Sequence, residues 1–408
     1  MFRRASNIYD SFRSIEVFLK LLGVLPLIWV DSAITDKSIN QKLLNWLNLL
    51  GNCISYLLVV FIQYVPIRPS EGLLDQVYSS SILQTSSTLL PLLFIILGHT
   101  MGSQMKRIFH ELNDFDQKLR VISFCAMDYQ KHRILIICYQ MCLISVTSLV
   151  TCSSFFVINN LSFPRVAYLY IWRVMLTWTV VAQQFVVTVW LIIERVKQMN
   201  KVFGMYFPKN GLPSSLLPKK GYQETVEVRN EKTQLIVLRH IVVLYDKIVD
   251  VVDLVNHCYS IQITICVGVC FSVGVISTFG VFKALLRWQE LYFMGLHNIV
   301  WGAYYVCIVV IFISAGSQIA QEGKRTGTLV YKGITNCPSS AVKNELNLFS
   351  QQLLHRRPII TCGMFVYDWT LMYTLIGATA TYLIIMIQFD ISVTSLMSSN
   401  GTTSKCVP

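Results

Sequence analysis

Long runs of apolar residues dominate this sequence and restrict what it can fold into. A helix that crosses the hydrocarbon core of a bilayer needs about 20 mostly apolar residues. The chain is 54% hydrophobic and 14% charged, whereas soluble domains carry about 25% charged residues. The pattern predicts an all-α integral membrane protein with seven transmembrane helices. The predicted spans are Leu43–Tyr64, Ser79–Met101, Arg133–Ile158, Val166–Ile193, His257–Phe282, Tyr292–Ile319 and Phe365–Phe389.

The lysines and arginines of the connecting segments indicate the side of the membrane that each segment occupies. With the long loop between spans four and five left out, one side holds 18 of them and the other holds five. Cytoplasmic segments carry the excess of positive charge. The amino terminus is therefore predicted inside and the carboxyl terminus outside, and the net charge of +12 needs no nucleic acid partner.

Two amphipathic patterns lie in the segments predicted to be cytosolic. Over Asn230–Asn256, one arginine and three aspartates occupy one helical face, and apolar residues recur every three or four positions on another. The eight apolar positions are Leu238, Ile241, Val242, Tyr245, Ile248, Val249, Val252 and Val255. Because anionic lipid repels aspartates, we expect this helix to pack against other cytosolic helices rather than lie on the membrane. The segment Ala341–Leu354 repeats the pattern. Its apolar positions are Val342, Leu346, Phe349 and Leu353.

The sequence carries no arrangement typical of catalysis or of a bound metal or other cofactor. It has no nucleophile beside a base, no paired carboxylates, no phosphate-binding loop and no cysteine or histidine spacing that suits zinc. Most of the 12 cysteines lie in predicted spans or inside loops, so a secreted disulfide framework is excluded. Both glycosylation sequons, at Asn160 and Asn400, fall on the predicted outside.

Ionisable residues inside predicted spans are few, and two of them, Arg173 and His297, lie in the outer part of their spans. Arg173 in span four shares a helical face with Tyr170 and Thr177. A second cluster, in span six, consists of His297, Trp301, Tyr304 and Tyr305. Charged groups in a membrane need a partner or a cavity. The clusters therefore predict either an outward-facing ligand pocket or ordinary packing with an interfacial aromatic belt.

A glutamine near the end of the last span raises a separate question. Thr381-Tyr382 is followed by five apolar residues and then by Gln388-Phe389. Residues seven apart share a helical face, so Thr381 and Gln388 form one stripe, with Tyr382 and Phe389 about 100° away. A buried amide costs free energy unless it is hydrogen-bonded or wet. Gln388 therefore either holds helices together or lines water.

This Thr-Tyr, five apolar residues, Gln-Phe pattern is similar to the signature that ends the last span of insect gustatory receptors. Further segments agree with the family: Leu22–Pro26, Val255-Asn256 before span five, and Thr361–Phe365 before span seven. The predicted topology, with the amino terminus inside and the carboxyl terminus outside, agrees with the family as well. The resemblance covers the whole chain, although outside the last span its motifs are loose.

The resemblance implies a ligand-gated, non-selective cation channel built as a homo- or hetero-tetramer in the plasma membrane of gustatory neurons. Sodium, potassium and calcium would permeate, a small-molecule tastant would open the pore, and lipid would surround it. The last helix would line the pore, with Ile385, Met386, Gln388 and Phe389 at the gate. Thr381 and Tyr382 would support that helix within its own subunit. The alternative to a gating role for Phe389 is that its ring belongs to the aromatic belt at the membrane interface.

The same resemblance divides the chain into five parts. They are a cytosolic N-terminal segment (1–42), a six-helix ligand-binding bundle with cytosolic helical loops (43–340), a cytosolic helix (341–364), a pore helix (365–389) and an extracellular tail (390–408). The expected ligand residues, assigned by their position in the outer half of the bundle, are Arg173, His297, Trp301, Tyr170, Thr177 and Tyr304.

The alternatives are other branches of the same receptor family and other classes of membrane protein. Leu383 stands where the sugar-receptor branch has glutamate, which favours a bitter-type or fructose-type receptor; bitter-type members are more numerous. An olfactory-type channel shares the mechanism. A G-protein-coupled receptor would need the opposite topology, and a transporter would favour repeats and midplane charges, which the sequence lacks.

Overall fold

The computed structural model describes residues 7–25, 43, 45–54, 57, 74–122, 127–158, 166–207, 231–286 and 288–402. Over these residues the regular structure is helical, apart from one isolated β-bridge between Thr361 and Val366, so the all-α prediction is confirmed. The helices are α1 (Ile8–Leu21), α2 (Leu74–Ile122), α3 (Tyr129–Ile158), α4 (Val166–Tyr206), α5 (Glu231–Leu286), α6 (Trp288–Asn336), α7 (Ser340–His355) and α8 (Trp369–Thr402). Residues 45–54 are helical too; the rest of the first predicted span lies largely outside the described residues.

Several helices are longer than a membrane is thick. The 56 residues of α5 extend for about 84 Å at 1.5 Å per residue, against about 30 Å of hydrocarbon. Within the described residues, α3, α4, α5, α6 and α8 contain stretches long and apolar enough to cross a membrane, matching predicted spans three to seven. From Glu231 onward, the amphipathic segment continues into span five as one helix, as predicted.

The spans differ greatly in how deeply they lie inside the subunit. In α4, 89% of the most apolar stretch is buried, whereas in α8 the share is 6%. The helix at the centre of the bundle is therefore α4, with α3, α5 and α6 around it. The last span α8 lies at the edge, and most of its surface is open to lipid, water or another subunit.

Beyond the spans, the helices form a layer that we call the collar, made by 102–122, 194–206, 231–256, 320–336 and 340–355. The predicted apolar face of α7 is buried and its Phe349 ring meets Tyr245 of α5 at 5.6 Å. Arg356, which follows α7, pairs with Asp246 at 3.0 Å and with Asp250. Two of the three aspartates on this face of α5 thus pair with a neighbouring element, as predicted, rather than facing lipid.

A second set of charges joins α5 to α2 within the collar. Lys247 lies 2.9 Å from Glu111 and also bonds Asp114. The hydrogen bond from Lys247 holds the pKa of the Asp114 carboxyl below its usual value. Because Asp114 and Glu111 are each about one-third exposed, these pairs contribute little to stability.

A buried ion pair lies deeper in the same layer. Nη2 of Arg195 on α4 is 2.6 Å from Oδ2 of Asp116 on α2, and both side chains are almost completely buried. The hydroxyl of Tyr129 donates to the same carboxylate oxygen at 2.8 Å. Ser11 of α1 in turn donates to the Tyr129 carbonyl at 3.0 Å. Three helices therefore meet at one carboxylate, and α1 is joined to them through the backbone of Tyr129.

The chain leaves α1 through a turn that depends on glycine. Gly23 has φ +77°, and the amides of Gly23 and Val24 donate to the carbonyls of Lys20 and Leu19 at 3.1 and 2.9 Å. This is a Schellman cap, which favours glycine at the left-handed position. The Val24 carbonyl then approaches α2 so closely that a Cβ on Gly98 would lie 2.1 Å away. The segment Leu22–Leu25 thereby anchors α1 to α2.

Candidate ligand cavity and pore helix

The predicted ligand residues of span four lie at a helix contact. Nη2 of Arg173 donates to Oδ1 of Asn52 at 3.0 Å, so the guanidinium is directed to the helix of the first span. Thr177 is fully buried and donates to the Arg173 carbonyl at 2.9 Å. The side chain of Tyr170 lies outside the described part of the chain. Neither Arg173 nor Thr177 lines the cavity described below.

The predicted residues of span six form a column of aromatic rings. The centroids of His297 and Trp301 are 5.8 Å apart, as are those of Trp301 and Tyr305. Tyr304 lies against Tyr305 at 5.3 Å, and Trp178 of α4 is 6.3 Å from Tyr305. The sequence thus grouped His297, Trp301 and Tyr304 correctly as neighbours, and the column ends at the cavity.

A cavity lies between α3, α4 and α6, and the roughly 290 Å³ of empty space at this position includes open solvent. Most of its wall is apolar and includes Leu143, Val186 and Ile308. Its polar residues are Tyr139, Thr179, Gln183 and Tyr304. Of the predicted ligand residues, Tyr304 therefore lines this space, while the others surround it or lie apart from it.

Two of the polar groups at the wall already bond each other. The Thr179 hydroxyl donates to the Met175 carbonyl at 2.7 Å, so Tyr304, whose hydroxyl is 2.7 Å from Thr179 Oγ1, is the donor in that contact. Thr147 Oγ1 lies 3.0 Å from the same Thr179 atom. These hydroxyls hold α3, α4 and α6 together and have little bonding capacity left for a ligand.

Gln183 differs from Thr179 and Tyr304 because its amide is unbonded. The residue is 1% exposed, and neither Oε1 nor Nε2 has a hydrogen-bond partner among the described residues. Sequence reasoning missed this residue. The signal was present, since Gln183 and Gln184 interrupt an apolar stretch and the cost of burying an amide applies there as it does at Gln388.

On α8, polar residues follow one exposed stripe. Thr374, Thr381 and Gln388 are spaced by seven and all are exposed, on the side opposite the partly buried Leu383. The hydroxyls of Thr374 and Thr381 donate to the carbonyls four residues earlier, at 3.0 and 3.1 Å. The Gln388 side chain, in contrast, bonds to no described residue.

The other predicted gate residues lie on different sides of α8. Phe389 is 67% exposed and Ile385 is 39% exposed, whereas Met386 is partly buried on the side of Leu383. The ring of Tyr382 packs against Phe271 of α5 at 5.8 Å. Its predicted supporting role therefore has a physical contact, and the exposed positions next to Gln388 are Phe389 and Ile385.

A short segment, residues 356–368, joins the collar to α8, and we call it the strap. The Asn256 amide of α5 donates to the Ile359 carbonyl at 2.8 Å and accepts from the Thr361 amide at 3.1 Å. At the other end, a Cβ on Gly316 of α6 would lie 2.2 Å from the Tyr367 carbonyl oxygen. The strap is therefore held by both α5 and α6 immediately before α8 begins.

The strap also reaches the cavity through aromatic rings. The Tyr367 ring lies 6.5 Å from Phe185, and Phe185 lies 5.7 Å from Phe312, which forms part of the cavity wall. Two ring contacts thus separate the cavity from Tyr367, two residues before α8 begins.

Comparison with known proteins identifies the family. The sequence matches the 7tm chemosensory receptor family over residues 12–393. The chain belongs to this family. Its members are receptors, so the prediction that the protein is not an enzyme is confirmed.

Among curated relatives of this chemosensory receptor are gustatory receptors of Drosophila melanogaster. Gustatory receptor 28b is 28% identical over 154 residues, which is 36% of this chain and 32% of the relative. Gustatory receptor 2a is 51% identical over 59 residues, 14% of each chain. The matched regions thus span about a third of gustatory receptor 28b and less of gustatory receptor 2a.

A solved structure shows the same fold. The insect olfactory receptor OR5 from Machilis hrabei in complex with eugenol has a TM-score of 0.62, with 13% identity, 93% of this chain covered and 97% of that chain covered. The predicted seven-helix membrane architecture is therefore confirmed. The described residues contain no cluster of three or more potential metal ligands, and Asn160 and the side chain of Asn400 lie outside the described part.

Proposed function

We propose that this chemosensory receptor is a tastant-gated, non-selective cation channel of the plasma membrane of gustatory neurons, with its amino terminus inside. Four subunits, identical or mixed with other gustatory receptors, would place their α8 helices around a central pore for sodium, potassium and calcium. The observation that carries the proposal is the exposed amide of Gln388 on a membrane-spanning helix.

That amide needs water or another subunit. An amide facing lipid without a partner costs free energy, and the Gln388 side chain bonds to none of the described residues of its own subunit. The exposed threonines do not carry the argument, because their hydroxyls bond to their own helix. A central pore lined by α8 would hydrate Gln388 and bring Phe389 near the axis, where apolar rings gate by dewetting.

The ligands we propose are bitter plant compounds. Curated relatives carry the name gustatory receptor, and Leu383 stands where the resemblance to the sugar-receptor branch would require glutamate. The cavity wall is largely apolar, which suits ligands with few polar groups. The cavity at Tyr304 and Gln183 is the proposed binding site.

Currents in excised outside-out patches test the channel directly. Cells would express this chain alone, and the pipette would contain neither GTP nor ATP. We expect phenols, uncharged alkaloids and other uncharged bitter plant compounds to evoke a rapid cation current, whereas fructose and other sugars do not. No current from subunits shown to be at the surface, alone and with gustatory co-receptors, would contradict the proposal.

Replacing Phe389 with alanine should open a leak. The smaller side chain weakens the apolar constriction, so we expect ligand-free cation current several times that of the unmodified receptor at equal surface expression. Phe293→Ala is a matched control, because Phe293 on α6 is 68% exposed but lies outside the proposed pore. Equal basal currents in both variants would remove Phe389 from the gate.

A further inference from the structure

The amide of Gln183 is the strongest unassigned feature of the molecule. It lies in the central helix α4, is almost fully buried and faces a cavity with both of its polar atoms unbonded among the described residues. A buried amide in a protein is normally bonded to protein or ordered water. In the empty receptor, water in the cavity is the remaining partner.

A ligand that enters the cavity must displace this water. Displacing an ordered water is favourable only when the ligand replaces its hydrogen bonds. The neighbouring hydroxyls of Thr179 and Tyr304 are bonded to each other. The ligand must therefore satisfy Gln183 with its own polar group, while the rest of its surface meets Leu143, Val186 and Ile308.

The wall also restricts the charge and polarity of the ligand. None of the described residues that line the cavity is charged, so an ammonium ion would be desolvated without a counter-ion. A sugar would bring several hydroxyls to a site with one unbonded amide, and each unpaired hydroxyl weakens binding. The cavity wall therefore disfavours both ammonium compounds and sugars.

We infer that Gln183 selects the ligand, and that the ligand is an uncharged, mostly apolar small molecule with one hydroxyl or amide group that can both donate and accept a hydrogen bond. This inference rests on the proposed function of the cavity. The Oε1 atom would accept from the ligand and Nε2 would donate to it. A methyl ether of the same molecule could only accept, and would leave Oε1 unpaired.

Thermal melting of the full-length receptor in detergent micelles tests this without requiring a current. The probes are a panel of phenols, benzylic alcohols and secondary amides, the methylated counterpart of each, quaternary ammonium compounds and hexoses. We expect the hydroxyl and amide compounds to raise the melting temperature at concentrations roughly tenfold below their methylated counterparts, the difference expected for one hydrogen bond.

Variants then assign the selectivity to this side chain. Gln183→Leu and Gln183→Met remove the amide while keeping its approximate size, and we expect each to abolish the tenfold preference. Gln184→Leu is the matched control, because Gln184 is equally buried but bonds to Met105 and does not line the cavity. This control should keep the preference.

The outcomes separate this inference from the channel proposal. Selective stabilisation without any ligand-evoked current would support the inference and count against the channel. Equal affinity for hydroxyl and methylated compounds, the same preference in Gln183→Leu as in the unmodified receptor, stabilisation by only ammonium compounds or hexoses, or no stabilisation by any hydroxyl or amide compound would each overturn the inference.

Discussion

Replacing Asp116 with alanine is expected to unfold the receptor or keep it from the cell surface. The change leaves the guanidinium of Arg195, which is 0% exposed, without the carboxylate that lies 2.6 Å away. An uncompensated buried charge costs about 3–5 kcal/mol, a large part of the roughly 5–15 kcal/mol that stabilises a folded domain. Surface biotinylation and thermal inactivation in detergent would measure the loss.

Two further variants identify the cause. Asp114→Ala removes a carboxylate two residues earlier on α2 that is one-third exposed, so it should cost about 0–1 kcal/mol. The double variant Asp116→Leu/Arg195→Met removes both charges. Because Oδ1 of Asp116 and Nε of Arg195 have no partner among the described residues, this apolar pair should restore part of the stability, less the cost of leaving the buried Tyr129 hydroxyl without its acceptor. Normal stability of the Asp116→Ala variant would show that Arg195 does not need the Asp116 carboxylate.

The collar shows how far the periodicity of the sequence reaches. The four apolar positions predicted for α7 are the residues it buries, and seven of the eight predicted on α5 are buried as well, with Val242 partly exposed. Helical spacing depends on neighbours three or four residues apart. Such local patterns therefore predict which face of a helix is buried before its partner is known.

Contacts between distant parts of the chain could not be predicted in this way. Asp116 and Arg195 are 79 residues apart, and nothing in their local patterns pairs them. Gln183 carries a local signal, but only the packing of α3 and α6 against α4 shows that its amide faces a cavity. On α8, helical periodicity places Met386 and Gln388 on nearly opposite sides. Which of the two sides is exposed follows only from the structure, where Leu383 is partly buried.

Replacing Gly316 with alanine is expected to abolish ligand-evoked current while leaving the cavity able to bind. The new Cβ would lie 2.2 Å from the Tyr367 carbonyl oxygen, a backbone atom that can move only with the strap. Overpacking of this kind costs about 1–3 kcal/mol, which displaces the strap without unfolding the bundle. The Tyr367 ring would then lose its contact with the Phe185 ring, and movements at the cavity would no longer be transmitted to α8.

The matched control is another glycine of the same helix. A Cβ on Gly327 meets nothing within 4 Å, so Gly327→Ala should leave the current intact and stabilise α6 by up to about 1 kcal/mol. Both variants would be compared by patch clamp and by the melting shift that a cavity ligand produces. If Gly316→Ala retains both the current and the melting shift, contact between α6 and the strap does not transmit the ligand signal. If it loses both, the glycine supports the bundle rather than the connection to α8, since a break confined to the strap removes the current alone.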